Sequence, residues 1–139
     1  MNLFLFLTGL LLFSGPQTVS VTVSSSSAEA GEIRLAVYAS ETDFKEQRAV
    51  TSIIKPTTGA SVNLKVDLPQ AGTYVLAAFH DVNGNGKLDR NFFGIPTEPY
   101  GFSRPPVSKW EEPRFGDISA TFSDKKASAR VELKLWKEY

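Results

Sequence analysis

A chain of 139 residues has room for one domain with a real core and hardly for two. Its 15 basic and 15 acidic residues cancel, and no basic run is long enough to form a patch, which disfavours nucleic acid or an anionic membrane as partner. The absence of cysteine excludes disulfides, thiol nucleophiles, thiolate metal sites and a lipoprotein cysteine.

Leu3 to Phe13 is apolar apart from Thr8 and Gly9, and no charged residue precedes Glu29. About eleven apolar residues span roughly 16 Å as a helix, too short to cross a bilayer core of about 30 Å. That length fits the apolar region of a signal peptide, so residues 1–17 are expected to be a leader, with cleavage between Ser14 and Ser20. A buried N-terminal strand or helix is the other reading. The leader implies an exported protein, periplasmic or extracellular, with no membrane span after its removal.

Beyond the leader the hydrophobic period is two. Val19, Val21 and Val23 alternate with Thr and Ser, as in a half-buried strand. Ile33, Leu35 and Val37 mark a second strand. Thr42 to Arg48, polar around Phe44, fits a short helical turn or loop. Ala49 to Lys55 is β-branched and is stopped by Pro56 and the Thr-Thr-Gly turn. Val62, Leu64 and Val66 alternate again. Thr73 to Phe79 is the most apolar stretch after the leader and predicts a central strand buried on both faces. Ile118, Ala120 and Phe122, then Ala129, Val131, Leu133 and Leu135, give the last two strands. Between them and Phe79 lies His80 to Gly116, rich in Gly, Pro and aromatic residues and without sustained periodicity. Seven short strands with turn signals between them predict an all-β, immunoglobulin-like or transthyretin-like sandwich with one long loop, a single domain over residues 18–139.

The sharpest local signal is Asp81-Val-Asn-Gly-Asn-Gly-Lys-Leu-Asp89. Oxygen-bearing side chains fall at relative positions 1, 3, 5 and 9, with glycine at 6. A calcium loop needs this spacing because alternate side chains aim oxygens at one centre while glycine allows the sharp turn. The ligands would be Asp81, Asn83, Asn85, the Lys87 carbonyl and Asp89. Position 12 is Phe92 rather than a bidentate Glu, so a calcium affinity on the order of 10⁻⁴–10⁻³ M is expected. Glu98, Glu111, Glu112 or Asp117 would complete the shell if the long loop folds back. The alternative is a metal-free turn, since Asn-Gly pairs favour positive φ and Asn side chains brace turns.

The run from Phe79-His-Asp through Phe92-Phe-Gly-Ile-Pro-Thr-Glu-Pro-Tyr-Gly-Phe-Ser103 resembles the signature of the DUF2141 family of bacterial proteins. Leu68-Pro-x-x-Gly72-Thr-Tyr and Pro113-x-Phe115 fit the same pattern. The resemblance implies an exported bacterial β-sandwich of the immunoglobulin-like or transthyretin-like kind and supplies no reaction. Arg104-Pro-Pro stands where the family pattern leads one to expect an asparagine-rich continuation.

Phe92, Phe93, Tyr100, Phe102, Trp110 and Phe115 either line a groove or pin the long loop to the sandwich. For catalysis the inventory is poor: His80 is the only histidine, and no nucleophile elbow or HExxH motif occurs. His80 and Asp81, adjacent on a strand, point to opposite faces. The expectation is therefore a non-catalytic module in one of two forms. As a binding module it presents Tyr100, Phe102, Arg104 and Trp110 to a carbohydrate, a peptide or an envelope protein. As a structural or assembly protein of the envelope it buries the same aromatics and meets a partner along an edge strand.

Overall fold

A computed structural model describes residues 15–139; most of the expected leader lies outside the described residues. The chain is all-β, with two sheets. The first holds three strands in the order β4 (Ser61–Leu68), β1 (Gln17–Ser25) and β8 (Ser128–Leu133). The second runs β3 (Thr51–Thr57), β2 (Gly31–Tyr38), β5 (Gly72–Asp81) and β6 (Tyr100–Phe102), with β7 (Ala120–Phe122) also paired to β5. Eight strands are thus described where seven were expected. All named pairs are antiparallel except β1 with β8, which run parallel with Val23 opposite Val131.

Alternation does the packing. Val19, Val21, Val23, Leu64, Val66, Leu68, Val131 and Leu133 point inward from the first sheet. They meet Ile33, Leu35, Val37, Tyr74, Leu76, Ala78 and Phe122 of the second in one shared core. As its composition predicts, β5 is covered on both faces. Its outward Val75 is buried with Tyr38 and Ile118, under Phe44 and Phe115. Those two phenylalanines come from short helices, α1 (Glu41–Lys45) and α2 (Phe115–Ile118). Ser40 caps α1 by accepting from the Asp43 amide at 3.1 Å. The helical turn expected around Phe44 is therefore a lid on the outer face of β5.

Four local expectations differ from what is found. Pro56 does not stop the third strand: β3 runs from Thr51 to Thr57 with Pro56 opposite Glu32, which an edge strand tolerates. Ile118 ends α2 instead of opening a strand, because a helical turn puts it and Phe115 three residues apart on one apolar side. Leu135 lies past β8, before a 3₁₀ turn at Trp136–Glu138. Strand β6 forms inside the stretch expected to be loop, with Gly101 opposite Ala78.

Ser103 rivets these elements. Its amide donates to the Leu76 carbonyl at 2.8 Å, and its hydroxyl accepts from the Leu76 amide at 3.1 Å and donates to the Ile118 carbonyl at 2.6 Å. Ser103→Ala is expected to lower stability by about 1–2 kcal/mol, measured by urea unfolding, because the Leu76 amide loses an acceptor.

Candidate functional site

β5 ends where the sequence places its densest chemistry. His80 and Asp81 are both fully buried and point to opposite faces. His80 Nδ1 lies 2.9 Å from the Ser25 hydroxyl on the core side, and its Nε2 has no hydrogen-bond partner among the described residues. Asp81 Oδ2 accepts from Arg34 Nε at 2.9 Å and from the Gly86 amide at 2.8 Å. Arg34 Nη2 also binds Glu32 at 2.7 Å. Asp81 Oδ1 is buried without a hydrogen-bond partner among the described residues.

The turn itself is closed by its own side chains. Asn83 Oδ1 accepts from the Asn85 amide at 3.2 Å, and Asn85 Oδ1 from the Lys87 amide at 3.0 Å. Both side-chain amides donate to Asp89, at 2.5 and 2.6 Å. Gly84 and Gly86 take φ of +71° and +80°, a region that a side chain would strain. Glu98 completes the frame. Its carboxylate accepts from the Val82 amide at 3.0 Å and the Asp89 amide at 3.1 Å, so the long loop does fold back.

Asp81, Asn83, Asn85 and Asp89 thus lie around one turn that also carries Lys87, tied by bonds from Asn83 and Asn85 to Asp89 and from the Gly86 amide to Asp81. Glu98 joins them, whereas Glu111 and Glu112 line a separate cleft and Asp117 lies on α2. Among the described residues no group of three or more His, Cys, Asp or Glu is placed to hold a metal ion. The turn offers two carboxylates and two side-chain amide oxygens, hard oxygens of the type calcium takes rather than zinc, but both amide oxygens already accept from backbone amides. The unpartnered Asp81 Oδ1 leaves one buried acceptor that such a cation would satisfy. Arg34 opposes this by already offsetting the Asp81 charge.

Beyond Asp89 the chain makes a second turn. Asn91 Oδ1 accepts from the Phe93 and Ile95 amides at 2.9 and 3.1 Å, and the Asp89 carbonyl accepts from the Thr97 amide at 2.8 Å. Phe92 and Phe93 ride on this turn, 98% and 82% exposed, with their rings edge to face. Among the described residues, neither ring belongs to a buried cluster. Phe93, Arg90 and Pro96 line a cleft of about 740 Å³. Tyr100, Phe102, Trp110 and Trp136 also line it.

Trp110 is 77% exposed and meets Trp136 edge to face at 4.8 Å. The Trp136 indole N–H donates to the Lys109 carbonyl at 3.1 Å, and the Lys109 ammonium lies 4.3 Å from the Trp136 ring centre. Of the four expected ligand-binding residues, the fold brings Tyr100, Phe102 and Trp110 to this cleft. Arg104 is not there; it lines a different hollow. Sequence reading missed Trp136 and Lys109. An indole between Lys134 and Lys137, just past the last alternating residue, was the available signal.

Tyr139 closes this end, its hydroxyl donating to the Tyr100 carbonyl. Burial first, then the neighbouring Tyr100, Glu138 and Glu132, raise its phenol well above the ordinary tyrosine value. Burial also raises Tyr100, with Arg90 pulling the other way. A pKa raised in the fold means the contribution is complete below the unfolded value of about 10 and is lost as pH rises past it. Stability is expected to fall above about pH 10, with tyrosinate absorbance developing late, and Tyr139→Phe should reduce that fall.

A family model described as an uncharacterized protein conserved in bacteria, DUF2141, matches residues 21–130. The chain belongs to the DUF2141 family. That match contains both the Asp81–Asp89 turn and most of the cleft. No curated protein and no solved structure matches the chain. The DUF2141 assignment therefore supplies a family, and the reading of function rests on the site.

Proposed function

We propose that this DUF2141 protein is a non-catalytic, exported binding module of the immunoglobulin-like or transthyretin-like kind. Its recognition face is the aromatic cleft, and the Asp81–Asp89 turn beside it is a weak calcium site. The fold is consistent with a non-catalytic all-β module. The observation that carries the reading is Trp110: an indole used to pin a loop would be buried, and this one is 77% exposed beside Phe93 and Trp136. Aromatic faces with interspersed charges, here Arg90, Lys109, Glu111 and Glu112, suit a carbohydrate or an extended peptide. His80 is buried on Ser25 and is not among the cleft's lining residues, which supports a role without acid–base chemistry.

The test is to probe glycan and peptide arrays with the protein and with Trp110→Ala, alongside thermal melts of both. Binding that Trp110→Ala removes, with the melting temperature unchanged, supports the module. An unstable Trp110→Ala variant, or no ligand on any array, favours the second reading, a structural or assembly protein of the envelope. That reading draws on β3, an edge strand with Val50 beside it and Ile54 on it, 43% and 55% exposed.

A further inference from the structure

The neutral charge of the chain conceals a local segregation. Arg104 follows β6, Lys126 lies in the turn between β7 and β8, and Arg130 lies on β8. Twenty-odd residues of sequence separate the first from the others, so no basic run announces them. The fold gathers all three around a hollow of about 770 Å³, with Thr22, Thr121 and Ser128 among its other lining residues. Among the described residues no Asp or Glu lines it.

The three cations differ from the ion-paired ones elsewhere. Arg34, Lys45, Arg48 and Lys134 each meet a carboxylate, whereas Arg104, Lys126 and Arg130 have no ion-pair or hydrogen-bond partner for their side chains among the described residues. Their backbones, by contrast, are fixed. The Arg104 amide donates to the Ile118 carbonyl at 3.1 Å, and Lys126 exchanges bonds of 2.9 and 3.0 Å with Ser123. Arg130 is held opposite Thr22 in the parallel ladder. Rigid anchors carrying unpaired guanidinium forks and an ammonium around a carboxylate-free hollow are suited to an oxyanion.

We propose that this hollow binds a phosphate-type oxyanion carried on a hydroxyl-rich molecule. The two arginines grip the anion, Lys126 adds a point charge, and the Ser128 hydroxyl meets the carrier's own hydroxyls, since Thr22 already donates to Asn63 and Thr121 already bonds Thr73. The inference stands apart from the aromatic cleft and does not depend on it.

Amide NMR titrations of the calcium-free protein at low salt test it, with inorganic phosphate, glucose 1-phosphate and phosphatidylglycerol vesicles as probes. The expected result is saturable movement of the Arg104, Lys126, Ser128 and Arg130 signals, with glucose 1-phosphate tighter than phosphate. Binding to vesicles but not to glucose 1-phosphate would place the phosphate on a lipid headgroup and remove the sugar-like carrier from the proposal. Arg104→Gln and Arg130→Gln should each weaken binding about tenfold, and more at low salt than at high salt. Both side chains are exposed and unpaired, so the melting temperature should hold. Shifts scattered over all surface lysines, or affinity unchanged in the Arg104→Gln/Arg130→Gln double variant, would overturn the proposal.

Discussion

Gly101→Ala should cost about 3 kcal/mol or more in equilibrium urea unfolding, one of the largest losses expected from a single added methyl group. A Cβ at this position would run into the main-chain carbonyl of Glu132 and lie 3.4 Å from the Leu133 side chain. A flexible side chain could turn aside, but the obstacle here is the backbone of β8. That backbone is held on one side by β1. Just past β8, Tyr100 and Lys134 exchange main-chain bonds of 3.0 and 2.9 Å. β6 is thus clamped between β5 of one sheet and the end of β8 in the other, and at Gly101 there is no room for a Cβ against the Glu132 carbonyl. Displacing β6 would also move Tyr100 and Phe102, and with them the floor of the aromatic cleft. Gly116→Ala is the control, since nothing lies within 4 Å of a Cβ there and α2 gains a better helix former. It should be neutral or slightly stabilising. Equal effects at both positions would mean that β6 is not the tie between sheets.

Period-two patterning made most of the core legible, because each strand with one buried face repeats its apolar residues at that spacing. Val19, Val21 and Val23, or Ile33, Leu35 and Val37, show their burial without reference to anything distant. β6 has no such pattern. It is three residues long, contains Gly101, and exists because β5 offers an unpaired edge. Nor does alternation reveal the parallel pairing of β1 with β8, which joins residues more than a hundred positions apart. The Asp81–Asp89 turn was legible because its spacing is local. Its anchors were less so: Arg34 arrives from β2 and Glu98 from the far side of the loop. The cleft was half legible, since Trp110 stands out among prolines while Trp136 looks like the tail of a strand. The basic hollow was invisible, as its charges meet only through the seam between β6, β7 and β8.

Asp81→Ala should destabilise the protein by about 2–4 kcal/mol, because Arg34 and the Gly86 amide both lose a buried acceptor. The figure sits below the full cost of breaking a buried pair because Arg34 is 24% exposed and keeps Glu32. Calcium separates the two readings of the turn. If the dissociation constant is near 1 mM, 10 mM calcium should add about 1.4 kcal/mol to the wild type and nothing to Asp81→Ala. Arg34→Met sharpens the contrast. It leaves Asp81 charged, buried and short of a partner, which is costly in calcium-free buffer. A calcium ion would then have no competing guanidinium, so this variant should gain more from calcium than the wild type does. A turn held only by hydrogen bonds predicts otherwise: Arg34→Met is destabilised and calcium does not rescue it, with magnesium equally without effect. Melting curves of the three proteins with and without each ion would show which force holds the Asp81 carboxylate.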